Sequence, residues 1–206
     1  MTNSPDRNTA YQKAIKTIQE NGGTIRTKDA IQKGVHPRTL YHLRDSGEIE
    51  VLSRGVYRLR DLEQLSDPDL VIVAKRAPQA IICLTSALAY HEITTQIPHA
   101  VSIALPKGSK TPRLDYPPLK AYRFSDAALI AGAEIHHIDN VAVRIFSPEK
   151  TLADCFKFRN KLGMDIVLEA LKLYKTRKNF DLENLMKYAG VCRVENVMRP
   201  YLEAML

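Results

Sequence analysis

The chain has 206 residues, a length that suits one or two domains of roughly 100–200 residues each. Hydrophobic residues are 45% and charged residues 26%, ordinary for a globular chain and against a disordered one. Lys and Arg total 30 against 23 Asp and Glu, so the net charge of +7 permits a nucleic-acid partner without requiring one. Three cysteines (Cys83, Cys155 and Cys192) form no CxxC and are odd in number. That argues against a disulfide framework or a structural zinc site, and for a reducing cytoplasm. No apolar run approaches the roughly 18 residues of a membrane span, and the start MTNSPDRNTAYQK has no signal-peptide core.

In chain order, Thr9 is expected to cap a first helix with Tyr11, Ala14, Ile15 and Ile18 on its apolar face. Asn21-Gly22-Gly23 stops it. Thr27 is expected to cap a short second helix, TKDAIQK, with Ala30 and Ile31 inward and Gly34 at its end. A third helix begins at Pro37 and ends at Gly47. Strands IEVL and VYRL follow, joined by Ser53-Arg54-Gly55 as a hairpin turn, with Ile49, Val51, Tyr57 and Leu59 inward and Arg58 outward. This order is that of a winged helix-turn-helix, in which two helices make an apolar base and a third is held out to a groove.

The polar stretch DLEQLSDP (61–68) marks a boundary, which divides the chain into a DNA-binding domain, 1–66, and a C-terminal domain, 67–206. There, Asp67 caps a helix DPDLVIVAKR; IICL is a short buried run; and Thr85 opens SALAYHE. AVSIAL and LKAYRF read as strands, as do AEIHHI and VAVRIF across Asp139-Asn140. Ser147-Pro148 opens EKTLADCFKFR, with Leu152, Cys155 and Phe156 on one face. MDIVLEALKLYK, LENLMKYA after the cap Asp181, and RVENVMRPYLEAML complete the chain, the last kinked or shortened by Pro200. The expected class is α+β: a winged helix-turn-helix, then a mixed α/β domain ending in several helices.

On a helical wheel, Leu40 and Leu43 of the third helix face its supports. Arg38, Tyr41, His42 and Asp45 lie opposite, with Thr39 and Arg44 flanking the buried stripe. Arg38 suits a bidentate bond to guanine, and Tyr41 and His42 suit base edges or phosphates. Asp45 would repel phosphates, so it pairs with an arginine or accepts from cytosine. Arg54 at the hairpin tip and Arg58 can follow the phosphate backbone, and Arg26 and Lys28 sit at the start of the second helix, where free amides favour an anion. The DNA-contact candidates are therefore Arg26, Lys28, Arg38, Thr39, Tyr41, His42, Arg44, Arg54 and Arg58. Residues 1–66 carry 11 Lys and Arg against 8 Asp and Glu, or 11 − 8 = +3, which points to modest monomer affinity and to self-association on DNA. The bland alternative is an ordinary set of solubilising charges.

Three stretches resemble a known family, the AbiEi-type antitoxins of bacterial type IV toxin–antitoxin systems: LRDSGEIEVLSRGVYRL, LTSALAYHEITTQIP followed by VSIALP, and VRIFSPEKTLADCFKF. The resemblance implies a winged-helix domain that represses its own operon at inverted repeats in double-stranded DNA. It also implies a C-terminal domain that opposes an AbiEii-like nucleotidyltransferase toxin without a stable complex. No antitoxic residue carries over to a C-terminal position.

Chemistry of other kinds finds little support. His136 and His137 are neighbours in a strand and face opposite ways, His36 and His42 miss the helical ligand spacing, and His91 and His99 stand alone, so no metal is expected. Lys107-Gly108-Ser109-Lys110 lacks a phosphate-loop pattern and, with Arg113, reads as a basic loop. Cys155 reads as core, and Glu149, Asp154 and Lys157 resemble a nuclease set only loosely. No cofactor and no catalytic residue is expected. Two other readings remain: a free-standing winged-helix regulator with a dimerising or ligand-sensing C-terminal domain, and a nucleic-acid enzyme with a winged-helix targeting domain.

Overall fold

A computed structural model describes residues 5–205. Residues 1–4 and Leu206, the last residue of the predicted final helix, lie outside the described residues. Contacts divide the chain into two compact units, one of residues 1–78, 113–117 and 137–143, and one of the remainder.

The first unit opens with α1 (Pro5–Gln19), followed by β1 (Thr24–Arg26), α2 (Thr27–Gln32), α3 (Pro37–Asp45), β2 (Ile49–Ser53), β3 (Val56–Leu59) and α4 (Pro68–Arg76). The three strands form one antiparallel sheet in the order β1-β3-β2. The small core unites Ala14, Ile18, Ile25, Ala30, Val35, Leu40, Leu43, Ile49, Tyr57 and Leu59. Tyr11 and Ile15 are partly buried against it.

Several local expectations differ from the structure. Helix α1 begins four residues before Thr9, so Thr9 lies inside it rather than at its cap. Thr27 does not cap α2. Arg26 holds the extended cap position, while the Thr27 N–H donates to the Gly55 carbonyl at 2.9 Å and so fastens the hairpin turn. In α2 only Ala30 is buried. Ile31 is 46% exposed, because neighbouring helical side chains diverge by 100° and a six-residue helix has room for one inward position. Strand β1, between the first two helices, makes β3 the central strand. Val51 is 49% exposed at the edge strand β2, where the register shifts between Val51 and Ser53. Gly34 (φ +82°) ends α2 as expected, in the left-handed backbone that glycine adopts without strain.

The second unit contains β4 (Ile81–Ile82), α5 (Leu84–Tyr90), β5 (Val101–Pro106), β6 (Leu119–Phe124), α6 (Asp126–Ile130), residues 133–136 of β7 (Ala133–Ile138), residues 144–146 of β8 (Val141–Phe146), α7 (Pro148–Lys157), α8 (Arg159–Leu162), α9 (Met164–Lys175), α10 (Leu182–Cys192) and α11 (Glu195–Met205). Its sheet has the order β6-β5-β4-β8-β7, with β5 parallel to β6, β4 antiparallel to β5 and β4 parallel to β8. The turn Asp139-Asn140 takes left-handed φ values of 47° and 64°, as the hairpin signal predicts. Helix α11 runs on past Pro200 rather than stopping at it. Thr85 does not cap α5. Cys83 holds that position, and the Thr85 hydroxyl bonds the Ser102 hydroxyl at 3.1 Å.

The core of this unit gathers around α7. From Lys150 to Phe156 every side chain of this helix is buried. Such a helix is packed on all sides, unlike one lying on a surface. Its N-terminus is capped as expected, by the Ser147 hydroxyl accepting from the Lys150 N–H at 3.2 Å. Inside the core, Lys150 Nζ pairs with Asp154 Oδ2 at 2.5 Å, and the Cys192 thiol donates to Asp154 Oδ1 at 3.1 Å.

Candidate nucleic-acid interface

Leu40 and Leu43 are 0% and 1% exposed, and burial of each contributes about 1.5–3 kcal/mol toward holding α3 on its base. Pro37 starts the helix, and the His36 ring accepts from the Arg38 N–H at 3.2 Å. The opposite face of α3 is solvated: Arg38, Tyr41, His42, Arg44 and Asp45 are all exposed. The helix therefore presents the side chains that its periodicity assigns outward.

Their internal contacts distinguish their roles. Arg44 pairs with Asp45 at 2.7 Å and lies over the Tyr41 ring, 5.4 Å from its centre. The hydrogen bond to Asp45 raises the Arg44 pKa above its usual value. Asp45 is thus engaged by an arginine, one of the two roles expected of it. The His42 ring stands 6.3 Å from that of Tyr11, which α1 supplies from beside the helix. Arg38 has no carboxylate within ion-pair distance among the described residues. Among the described residues it is a cation of this face outside any ion pair. Tyr11 was read only as core; its position at the edge of the α1 apolar stripe was the available signal for its place beside His42.

Two of the nine candidates are corrected. Thr39 is only 9% exposed, on the side of α3 that meets the base, so it has no surface to offer a ligand. Arg58 is 5% exposed rather than outward. It sits in the middle strand, paired in register with Thr24 on one side and Glu50 on the other. Its guanidinium donates to the Leu62 and Glu63 carbonyls and lies 3.6 Å from the Glu50 carboxylate. Arg58 is a structural tie for the segment after the hairpin. The alternation rule failed here because the segment after the hairpin, at Leu62 and Glu63, folds onto the outward side of β3 and takes the guanidinium.

Of the remaining cations, Arg54 is exposed at the hairpin tip and Lys28 is exposed on α2. Arg26 is half-buried and bonds Asp29 through Nε and Nη2, both at 2.7 Å. That bond raises the arginine's pKa and lowers that of Asp29. The structure brings the α2 start to the hairpin turn through the Thr27–Gly55 bond, so Arg26, Lys28 and Arg54 share one neighbourhood.

The other chemistries are placed as follows. Among the described residues, no group of three or more His, Cys, Asp or Glu is positioned to hold a metal ion. His91 does not stand alone: its ring is 5.7 Å from that of His136 and 5.2 Å from that of Tyr90. Cys83, Cys155 and Cys192 are buried free thiols, and burial pushes all three upward in pKa. Glu149 accepts from the Tyr174 hydroxyl, Asp154 is held by Lys150 in the core, and Lys157 is exposed. No helix among the described residues is long and apolar enough to cross a membrane.

Comparison with known proteins bears on the N-terminal elements. Among curated proteins none matches the chain. The crystal structure of the RV2827C protein from Mycobacterium tuberculosis is similar, with a TM-score of 0.54 and 16% identity, covering 88% of this chain and 71% of that one. At that identity the likeness is one of fold. A family model described as "Transcriptional regulator, AbiEi antitoxin" matches residues 12–60, which hold α3 and the hairpin. Over that segment the chain matches the AbiEi antitoxin transcriptional regulators, the family its motifs resemble.

Proposed function

We propose that this chain is a DNA-binding autorepressor and antitoxin, whose residues 1–66 form a winged helix-turn-helix and whose residues 67–206 oppose a nucleotidyltransferase toxin in the cytoplasm. The observation that carries the reading is the solvated face of α3. Arg38, Tyr41 and His42 project from a helix anchored by Leu40 and Leu43, beside a hairpin tipped by Arg54. A guanidinium without a carboxylate partner can take guanine O6 and N7 in the major groove. The wing arginine and Lys28 supply phosphate contacts that position the helix without reading sequence. Arg44 acts through Tyr41, whose ring it covers, and holds that phenol in place.

The family description joins a regulator and an antitoxin, which supports both halves of the proposal. On this reading the operator is an inverted repeat, two copies of the chain bind it together, and toxin activity is opposed without a stable complex. The protein itself performs no catalysis. The test uses the full chain with its own promoter region as a DNA duplex, in footprinting, and with a nucleotidyltransferase toxin co-expressed in a growth assay. Arg38→Ala is expected to lose the footprint while still protecting cells from the toxin. A full footprint in that variant, or no footprint from the unaltered protein, contradicts the proposal.

A further inference from the structure

The wing tip is held by more than its own hairpin. Arg76, the last residue of α4, donates from Nη1 to the Arg54 carbonyl and from Nη2 to the Arg113 carbonyl at 3.3 Å. A planar fork with fixed N–H directions can bridge two carbonyls in this way, whereas an ammonium cannot reproduce the geometry. Segment 113–117 is fastened to α4 a second time, by the Tyr116 hydroxyl donating to Asp69 Oδ2 at 3.4 Å. The turn lies at van der Waals distance from the fork. Gly55 has φ +74°, and a Cβ there would stand 3.8 Å from Arg76 Nη1 and 3.4 Å from Thr27 Oγ1.

Carbonyl partners orient a guanidinium without cancelling its charge. Among the described residues no carboxylate lies within ion-pair distance of Arg54, Arg76 or Arg113. The three residues therefore gather uncompensated positive charge at the wing tip. Arg54 and Arg113 are exposed. The cluster continues the edge formed by Arg26 and Lys28 at the start of α2, since the Thr27 N–H bonds the same turn. Along that edge Asp29 is engaged by Arg26.

We infer that the phosphate-contacting edge of the DNA interface extends beyond the helix and hairpin to Arg76 and Arg113. Arg113 touches a backbone phosphate of duplex DNA. Arg76 is a positioning residue, which sets the wing tip and segment 113–117 in register with each other. Neither belongs to the segment 12–60 that matches the family, and nothing in their local sequence marks them, because the fork spans separations of 22 and 37 residues. The inference rests on the reading of Arg54 as a wing contact.

The test is fluorescence anisotropy with the full chain and a labelled mixed-sequence DNA duplex over a range of salt. Mixed sequence suffices because phosphate contacts are independent of sequence. Arg113→Ala is expected to reduce the slope of log K against log salt by about 0.9, the value of one released phosphate contact. Arg76→Ala is expected to weaken binding, and Arg76→Lys, which keeps the charge, to leave it equally weak. In a double-mutant cycle Arg54→Ala should cost less in the Arg76→Ala background than in the unaltered protein. An unchanged slope in Arg113→Ala, full rescue by Arg76→Lys, or additive losses would each overturn the corresponding role. A loss in Arg113→Ala confined to an RNA duplex would overturn the choice of DNA. Arg54→Ala alone separates the premises: if its slope is unchanged the wing reading itself fails, whereas a reduced slope there with none in Arg113→Ala leaves the wing standing and removes the extension. Arg113 is exposed, so its variant does not depend on a folding risk.

Discussion

The buried pair in α7 supports a quantitative prediction. Lys150 and Asp154 are both 0% exposed, with Nζ and Oδ2 2.5 Å apart. At an effective dielectric of about 20, unit charges at that distance attract by about 6–7 kcal/mol. Desolvation of the two ions opposes this with several kcal/mol each, so the intact pair contributes little net stability. Burial in fact raises the Asp154 pKa despite the ammonium beside it. Asp154→Ala changes the balance. The Lys150 ammonium keeps its desolvation cost and loses its counter-charge, and the Cys192 thiol loses its acceptor. The Phe146 and Phe124 rings, 4.1 and 5.1 Å from Nζ, already lie against the ammonium in the unaltered chain and so do not replace the lost carboxylate. The expected loss is about 3–5 kcal/mol, a large part of a typical total of about 5–15. Lys150→Met with Asp154→Leu removes both charges at similar volume and is expected to restore stability to within about 2 kcal/mol of the unaltered chain. Urea unfolding followed by far-ultraviolet circular dichroism measures both, and tyrosine fluorescence serves as a second probe, since the chain has nine Tyr and no Trp. A single variant within about 1 kcal/mol of the parent, or a double variant as unstable as the single, would refute the reasoning.

Two further outcomes are expected. Arg58→Ala should lower stability by about 1–3 kcal/mol, by leaving the Leu62 and Glu63 carbonyls without their donor, while the salt dependence of DNA binding stays unchanged; a reduced salt slope in a fully stable variant would show instead that Arg58 contacts phosphate. His91 is depressed in pKa, first by burial and then by His136, against a bond to the Phe146 carbonyl at 2.7 Å and the carboxylates of Glu134 and Glu149. Between about pH 6.5 and its lower folded value, the unfolded chain takes a proton that the folded chain refuses, so stability contributed by neutral His91 is complete above that window and declines as pH falls through it. Urea midpoints of His91→Gln should fall less on acidification than those of the unaltered chain, and parallel declines would contradict this.

Legibility in the sequence followed the range of the interactions. The caps at Asp67, Ser147 and Asp181 were readable because each involves a backbone N–H only three residues ahead. So were the outward face of α3 and the Asp139-Asn140 hairpin, both set by local periodicity and backbone preference. Arg58 was misplaced because its burial comes from the segment after the hairpin, whose Leu62 and Glu63 carbonyls it bonds, and Val51 because β2 is the edge strand and shifts register there. Lys150 and Asp154 were invisible for a related reason. Spaced i, i+4 on a helix, they look like a solvated surface pair, and only packing around the whole of α7 makes them core. Thr27 could be read as a cap because threonine suits that role, but its hydroxyl donates to the Gly55 carbonyl of a distant turn. The Arg76 fork had no local signal of any kind.

The most direct test of the central claim is the sequence preference of the Arg38→Ala protein, measured as the ratio of its affinities for the promoter duplex and for a mixed-sequence duplex at one salt concentration. Loss of about 1–3 kcal/mol from the promoter complex alone, with nonspecific affinity retained, is the result predicted for an arginine reading one base. An unchanged ratio would show that α3 does not enter the groove.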